Sequence, residues 1–315
     1  MLFDESTLRK LTQLSLVAAR IRAGAIKGER RSSRRGSSVE FADYRAYAPG
    51  DDLRRLDWNI YARLERPFIK LFEEEEDLAV YLLLDTSRSM GWGAALSGSK
   101  GEGELDKFRY ALRLAAGLGA VALACGDRLV IAALRDGSVM EEFGPARGQA
   151  ALPRLFRFLE GLEAQGTTDL DASLRQFFVT PRRAGLVILL SDLFSAQAFR
   201  PPLRGQAGSG QGWEAGLRQA LGRGHEAALL HILSPDELDP PLAGDLQLVD
   251  IESGQTQDVS LDGGLRALYR QRARAWLQST QAACRKQGVR YLQLTTSLPW
   301  ERALLLEMRQ SGMVK

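Results

Sequence analysis

The sequence has very little cysteine and histidine, the residues from which disulfide frameworks and most zinc sites are built. Its 315 residues include only two cysteines, Cys125 and Cys284, and two histidines, His225 and His231. Neither cysteine belongs to a C-x-x-C pair, so both are interpreted as small buried helix residues in a reducing compartment, with a single disulfide as the open alternative. The histidines would share one face of a predicted strand, but no third ligand lies nearby, so we interpret them as structural.

The sequence also lacks a long apolar run. No stretch reaches the roughly 18 apolar residues that a membrane span requires. The first residues include Asp4, Glu5, Arg9 and Lys10 instead of the hydrophobic core of a signal peptide. We therefore expect a soluble, cytoplasmic protein without a membrane span.

Charge of one sign is not in large excess, because the formal net charge is only +3. The chain as a whole therefore does not predict specific nucleic-acid binding. A local basic cluster lies in a polar, glycine-punctuated stretch that we predict to be a solvated loop, and a weak, salt-sensitive contact with nucleic acid is the alternative. Its cations are Lys27, Arg30, Arg31, Arg34 and Arg35.

The chain is long enough to bury a sizeable core, since 45% of its 315 residues are hydrophobic. From about Asp77 onward apolar strands alternate with amphipathic helices, which predicts an α/β fold with a doubly wound, mostly parallel sheet. Two hairpins, with turns at Asp136-Gly137 and Ser253-Gly254, make the predicted sheet mixed. Strands are predicted at 80–84, 127–135, 138–143, 185–191, 226–233, 246–251, 257–261 and 289–294, and helices at 105–124, 149–162, 213–221 and 264–287, with a closing helix from Pro299.

Residues 1–76 are predicted to form an N-terminal extension, and residues 77–315 the α/β domain. Leucines at helical spacing between Ser6 and Ala25 predict an amphipathic helix. Residues 41–63 interleave aromatic, acidic and basic side chains with little periodicity. That mixture favours an irregular segment tied down by Arg–Asp pairs, or a binding surface. Residues 66–72 predict a short strand before the acidic run 73–77.

A possible ligand site begins where the first apolar strand ends. The run Val80–Leu84 is apolar throughout, which is typical of a central strand buried on both faces, and it is followed by Asp85, Ser87 and Ser89 in a D-x-S-x-S pattern. Open α/β sheets bind ligands at this edge, and these side chains offer the hard oxygen donors that Mg²⁺ or Mn²⁺ prefers. Taken alone, the pattern equally predicts a turn in which Asp85 and Ser87 cap local backbone groups.

Two later loops supply further oxygen donors. Thr168 lies in a loop that begins at Gly166 and leads into a helix, and Asp192 ends the second apolar strand. If the two apolar strands are neighbours, Asp85 and Asp192 lie about one strand spacing apart and would repel each other without a cation. The predicted metal ligands are therefore Asp85, Ser87, Ser89, Thr168 and Asp192, which leave one octahedral position for water or for a partner's carboxylate.

This ordered set resembles the metal-ion-dependent adhesion site of von Willebrand factor A domains. That site has a D-x-S-x-S motif, a threonine in a glycine loop and an aspartate after a hydrophobic strand. Two positions depart from the pattern: Leu193 follows Asp192 where glycine is common, and Thr167 stands where a second glycine is usual.

The N-terminal segment resembles the signature of a bacterial family called domain of unknown function fifty-eight. The resemblance implies a von Willebrand factor A-like fold and a role beside MoxR-type AAA+ ATPases, next to which such proteins are typically encoded. The residues that carry it are Phe41-Ala42-Asp43-Tyr44-Arg45, Tyr47, Pro49-Gly50-Asp51-Asp52, Leu56-Asp57-Trp58, Ala62-Arg63 and Phe72-Glu73-Glu74-Glu75.

We therefore expect a non-enzymatic, Mg²⁺-dependent protein-binding module that acts as an adaptor or co-chaperone with such an ATPase, binding partners through an acidic residue. No nucleophile is paired with a base in the sequence motifs, since neither histidine lies near one. The first alternative is a metal-dependent phosphohydrolase with Asp85 as nucleophile, although Ser87 replaces the second acid expected of such enzymes. The second alternative is a degenerate site with a structural role, which is suggested by the two departures from the pattern, Leu193 and Thr167.

Overall fold

The structure is a computed structural model, and it describes residues 9–11, 13–18, 39–48, 53, 56–74, 77–92, 106–194 and 212–315. The chain divides into two compact units. One comprises Ala19–Asp77, and the other joins Leu78–Lys315 with the segment that ends at Ala18. The sequence predicts residues 1–76 as one N-terminal extension, whereas the described residues up to Ala18 group with the α/β unit. The basic cluster 27–35 lies outside the described residues.

The smaller unit contains regular structure where the sequence predicted an irregular segment. Strand β1 (Val39–Ala46) pairs antiparallel with β2 (Phe68–Glu74), and helix α1 (Trp58–Leu64) lies between them in the chain. The prediction missed the helix because Asp57, not a periodic apolar stripe, starts it. The Asp57 carboxylate accepts from Asn59 N–H at 2.9 Å and Ile60 N–H at 3.2 Å, and Tyr44 Oη donates to it at 3.1 Å.

The larger unit is built on a six-stranded sheet in the order β10-β7-β6-β3-β4-β5, in which every neighbouring pair is parallel except β4 and β5. This confirms the predicted α/β fold with a mostly parallel, mixed sheet. The prediction that both hairpins belong to this sheet is wrong, because the second hairpin, β8 with β9, forms a separate two-stranded sheet. The strands are β3 Ala79–Asp85, β4 Arg128–Arg135, β5 Ser138–Ala146, β6 Leu186–Ser191, β7 Glu226–Leu233, β8 Gly244–Val249, β9 Thr256–Leu261 and β10 Arg290–Thr295.

The helices predicted in residues 77–315 are present, and the structure adds a short helix, Pro235–Leu238, that the sequence did not predict. They are α2 Lys107–Ala124, α3 Leu152–Glu160, α4 Leu170–Val179, α5 Glu214–Gly222, α6 Pro235–Leu238 and α7 Gly263–Gln287. Three short turns, Trp300–Arg302, Ala303–Glu307 and Met308–Gln310, form the predicted closing helix. None of the helices in the described part of the chain is long and apolar enough to cross a membrane.

The core lies around the two apolar strands on which the site prediction depends. Every residue of β3 and β6 is buried, as expected for central strands covered on both faces. The two strands are parallel neighbours, and Leu84 pairs with Leu190. Asp85 ends β3 and Asp192 directly follows β6, so the two lie at the ends of adjacent strands at the same edge of the sheet.

The N-terminal helix predicted from Ser6 to Ala25 is wrong for the described residues 13–18. Leu16 forms an isolated antiparallel bridge with Val314, and Val17 N–H donates to Met313 O at 3.0 Å. Leu11, Leu14 and Leu16 are buried. Their spacing therefore reflects burial against the α/β unit instead of one continuous helical stripe.

Neither Cys125 nor Cys284 forms a disulfide. Cys284 is buried in α7 as predicted, but Cys125 is exposed at the end of α2, where its thiol donates to Leu14 O at 3.2 Å. Burial raises the pKa of the Cys284 thiol to about 12. This thiol therefore stays protonated and unreactive near neutral pH.

Candidate metal site at the carboxyl edge of the central sheet

The D-x-S-x-S loop folds into a compact group of oxygen atoms directly after β3. Asp85 Oδ1 accepts from the backbone N–H of Ser87 at 3.0 Å, and the hydroxyls of Ser87 and Ser89 lie 3.0 Å apart. A short 3₁₀ turn, Arg88–Gly91, holds Ser89 beside Ser87. The capped turn and the clustered oxygen donors are thus two aspects of the same loop, since the Asp85 cap leaves both hydroxyls facing each other.

Asp85 is a carboxylate placed where ionisation is unfavourable. Its side chain is buried, and Ser191 Oγ donates to its Oδ2 at 2.6 Å. Burial, followed by the nearby charge of Asp192, raises the pKa of Asp85 to about 7. No lysine, arginine or histidine of the described chain forms an ion pair with it, so its charge is balanced by hydroxyls and one backbone N–H alone.

The second loop is attached to the first by the backbone. Gln165 N–H donates to Thr86 O at 2.9 Å, and Arg88 N–H donates to Gly166 O at 3.1 Å. Gly166 has a φ of 76°, in the left-handed region that favours glycine. These bonds attach the loop that carries Thr168 to the D-x-S-x-S loop.

Thr168 itself binds a carboxylate that the sequence did not suggest. Glu252 Oε1 accepts from Thr168 Oγ1 at 2.6 Å, and Glu252 Oε2 accepts from Thr168 N–H at 3.0 Å. Thr167, which replaces a glycine in the adhesion-site pattern, donates its N–H and hydroxyl to Asp136 Oδ1 at 2.7 Å and 2.9 Å. The two neighbouring threonines therefore face different carboxylates.

The third loop, which follows β6, accommodates Leu193 at the position where the adhesion-site pattern commonly has glycine. Leu193 has a φ of 59°, the left-handed conformation that explains the usual glycine. Its side chain is 1% exposed and belongs to the apolar core, and its N–H donates to Ser191 Oγ at 2.8 Å. Burial of the leucine offsets the strain of its backbone.

Asp192 has a partner that the sequence reasoning missed. Lys107 Nζ lies 2.5 Å from Asp192 Oδ2 and 2.5 Å from Glu237 Oε1, and both Lys107 and Asp192 side chains are completely buried. The missed signal was a lysine in the first turn of α2, where the helix dipole favours acids over cations. Such a lysine needs strong carboxylate partners close by.

The pKa values of Lys107 and Glu237 reflect both burial and this ion pair. Burial alone lowers the pKa of Lys107, but the carboxylates of Asp192 and Glu237 outweigh it and leave the pKa above its usual value. Burial, opposed by Lys107, raises the pKa of Glu237 to about 7. Lys107 therefore stays an ammonium ion at neutral pH. It pairs with Asp192, the carboxylate whose charge acts on Asp85.

Both histidines have structural contacts, in line with the sequence interpretation. His231 bonds through Nδ1 to Tyr291 Oη at 2.9 Å and through Nε2 to Asp192 O at 3.0 Å. His225 Nδ1 accepts from Gly185 N–H at 3.2 Å. Neither imidazole contacts the hydroxyl of Ser87 or Ser89.

Comparison with known proteins identifies the family. The model of the family described as "Protein of unknown function DUF58" matches residues 43–278. The chain belongs to the DUF58 family. Uncharacterized proteins of Mycobacterium tuberculosis (Rv1480) and Mycobacterium bovis (Mb1516) are each 26% identical over 300 residues, which is 94% of this chain and 87% of theirs.

Two solved structures resemble parts of this DUF58 protein. The conserved hypothetical protein BatB of Bacteroides thetaiotaomicron aligns with a TM-score of 0.38 and 16% identity, covering 75% of this chain and 98% of that one. The pilus adhesin SpaC of Lactobacillus rhamnosus GG aligns with a TM-score of 0.41 and 14% identity, covering 76% and 31%.

The oxygen donors of this DUF58 protein fit a hard divalent cation at Asp85. The buried Asp85 carboxylate and the paired hydroxyls of Ser87 and Ser89 are donors of the type that Mg²⁺ takes. No cluster of three or more His, Cys, Asp or Glu suited to a metal occurs in the described ranges, so hydroxyl oxygens would be essential to any such site. Asp192 is shared with Lys107, and its role as a ligand stays a prediction.

Proposed function

We propose that this DUF58 protein is a non-enzymatic binding module in which a divalent cation, Mg²⁺ or Mn²⁺, is held by Asp85, Ser87, Ser89 and Thr168, with Asp192 as the fifth predicted ligand. The cation would supply a positive charge that attracts an acidic side chain of a protein partner. This corresponds to the metal-ion-dependent adhesion site of a von Willebrand factor A-like domain.

The environment of Asp85 is the single observation that carries the proposal. A buried carboxylate beside a second carboxylate is costly unless a positive charge compensates it. Lys107 compensates Asp192 and Glu237, and no basic side chain of the described residues pairs with Asp85. A cation bound next to Asp85 and the two serine hydroxyls would remove this cost.

Binding is favoured over catalysis by the surroundings of the hydroxyls. The hydroxyls of Ser87 and Ser89 contact each other, and His231 uses both ring nitrogens for structural hydrogen bonds. Lys107 is held as an ammonium ion by its two carboxylates. Among the described residues, neither His231 nor Lys107 is therefore available as a base to activate a nucleophile.

The proposed partner is a MoxR-type AAA+ ATPase, for which the protein would act as adaptor or co-chaperone in the cytoplasm. This part of the proposal rests on the family resemblance of the N-terminal signature. A co-purification from native lysate in Mg²⁺ and in EDTA tests it. The ATPase is expected in the Mg²⁺ eluate alone, and its equal recovery in EDTA would contradict a metal-mediated contact.

Calorimetric titration of the full chain with MgCl₂ and MnCl₂ tests the cation site directly. Wild type is expected to bind one ion saturably, and Asp85→Asn to bind at least about tenfold more weakly because it removes the central charged ligand. Asp245→Asn is the control, since Asp245 is exposed on β8 and bonded to Ser260. Equal affinities of wild type and Asp85→Asn would contradict the proposal.

The position of Lys107 favours a second candidate function, in which the site is purely structural and binds no metal. Its ammonium group already provides a positive charge at this edge of the sheet, where it neutralises Asp192. In that case Asp85 is protonated near neutral pH and serves as a buried hydrogen-bonding group. Absence of any saturable Mg²⁺ or Mn²⁺ binding by wild type would select this candidate.

A further inference from the structure

The turn of the β8–β9 hairpin lies on the candidate site and places a carboxylate there. Both oxygens of Glu252 are bonded to Thr168, one to its hydroxyl at 2.6 Å and the other to its N–H at 3.0 Å. The same turn reaches the D-x-S-x-S loop, because Arg88 Nη1 donates to Ile251 O at 3.4 Å. One turn thus touches two of the three loops that carry the predicted ligands.

The shape of this turn does not depend on the Glu252 side chain. Asp250 Oδ1 accepts from Glu252 N–H at 3.0 Å and from Ser253 N–H at 2.6 Å, and Gly254 N–H donates to Asp250 O at 2.8 Å. Asp250 and the backbone therefore fix the turn. The Glu252 side chain is left to bind Thr168, as a separate ligand would.

The hairpin that carries the turn is weakly held. Among the described strands, β8 and β9 pair only with each other, and most of their residues are exposed. Leu248 and Val249 of β8 are 42% and 58% exposed. An isolated two-stranded hairpin has little stability of its own, so moving its turn off the site costs little packing.

We infer that Glu252 is the protein's own occupant of a carboxylate-binding position formed by Thr168, and that an acidic side chain of a partner binds there by displacing it. The inference rests on the proposed function, because it concerns the same site. Two carboxylates cannot accept the same Thr168 N–H and hydroxyl at once. A tethered competitor acts at a high effective concentration and so lowers the apparent affinity for the partner.

The test is calorimetric titration of the full chain, in saturating MgCl₂, with a blocked Gly-Glu-Gly peptide as the acidic probe. Glu252→Ala is compared with wild type and with Asp258→Ala. Asp258 is a matched control, since it is an exposed acid on the same hairpin whose carboxylate accepts a hydrogen bond from Gln247 at 3.2 Å. Both variants change the net charge equally, so a general electrostatic effect would act on both.

The inference predicts that Glu252→Ala binds the peptide about tenfold more tightly than wild type, the effect of losing a charge-assisted competitor, whereas Asp258→Ala binds like wild type. Equal and measurable affinities of all three proteins would overturn the inference and leave the proposed function standing. An equal gain in both variants would also overturn it, as a charge effect. If no protein binds the peptide, the proposed function fails and the inference fails with it.

Discussion

Lys107 is the residue whose surroundings depart most from what its sequence position suggests. It is the first residue of α2, yet its side chain is completely buried between Asp192 and Glu237. A buried ammonium ion and its two carboxylates depend strongly on one another, because removing one of them leaves an uncompensated buried charge. Lys107 therefore links the third ligand loop to helix α6.

Lys107→Met is expected to lower the free energy of unfolding by about 3–5 kcal/mol, measured by urea denaturation. The loss should be larger at pH 8 than at pH 6. Burial already raises the pKa of Glu237 and Lys107 lowers it, so without the lysine Glu237 binds its proton more strongly in the folded than in the unfolded state, and stability falls as pH rises. Arg109→Met is the control, because Arg109 is exposed on the same helix. Similar losses for both variants would contradict the role given to Lys107.

His225 gives a pH-dependent prediction away from the site. Burial lowers its pKa below 6.5, and Gly185 N–H holds the imidazole as an acceptor. The unfolded state therefore binds more protons below pH 6.5, so stability is complete above that pH and is lost as pH falls toward the folded pKa. The loss for this one group is at most about 1.4 kcal/mol per pH unit.

Proton NMR of the two imidazoles checks this prediction. In the folded protein the His225 resonance should titrate at a lower pH than in urea, where it should titrate near 6.5. A His231→Asn variant assigns the resonances, since the chain has only two histidines. A folded midpoint at or above that of the urea sample would disprove the prediction.

At the scale of elements, the site depends on close contact between β3 and β6. Gly185 immediately precedes β6, and a Cβ added there would lie 2.1 Å from Ala79 O at the start of β3. This contact is with backbone, which cannot move aside as a flexible side chain can. Glycine thus lets the two central strands come into register, which brings Asp85 and Asp192 to one edge.

Gly185→Ala is expected to lower the free energy of unfolding by about 1–3 kcal/mol through overpacking and to weaken Mg²⁺ binding by shifting β6 against β3. Gly222→Ala, at the end of α5 with open space around its Cα, is the control and should stabilise by about 0.4–1 kcal/mol. Thermal unfolding of both variants measures the difference. A neutral Gly185→Ala would show that the strands adjust without cost.

At the scale of the whole molecule, the first and last described segments of the larger unit pair with each other. Ser15 N–H donates to Lys315 O at 3.2 Å, and Lys315 N–H donates to Ser15 O at 2.9 Å. Met313 and Val314 are buried beside this pairing. The segment up to Ala18 is therefore part of the α/β unit, although the chain between Ala19 and Asp77 forms a separate unit.

Deletion of residues 313–315 should lower the melting temperature, because it removes two buried apolar side chains worth about 1.5–3 kcal/mol each. Lys315→Ala keeps the backbone bonds and removes an exposed side chain, so its stability should stay within about 0.5 kcal/mol of wild type. Calorimetric melting compares the two variants. An unchanged melting temperature after the deletion would contradict a structural role for the pairing.

The local sequence determined the elements that carry strong patterns. The apolar runs that became β3 and β6 were recognisable because strands buried on both faces carry no polar alternation. The hairpin turn at Asp136-Gly137 was recognisable because an Asp-Gly pair favours a turn with positive φ at both residues. The observed φ values are 52° and 71°. Helix α1 was missed because its start depends on the Asp57 cap more than on periodicity.

Only the tertiary structure decided which polar groups meet. Lys107 and Asp192 are 85 residues apart, Lys107 and Glu237 are 130 apart, and Thr168 and Glu252 are 84 apart. Such contacts follow from strand order and loop direction, which a local pattern does not encode. The sequence by itself determined the α/β fold and the oxygen-rich character of the site, because residue type and spacing carry both. The tertiary structure decided that Lys107 shares Asp192 and that Glu252 binds Thr168, because charge balance and hydrogen bonding act through space.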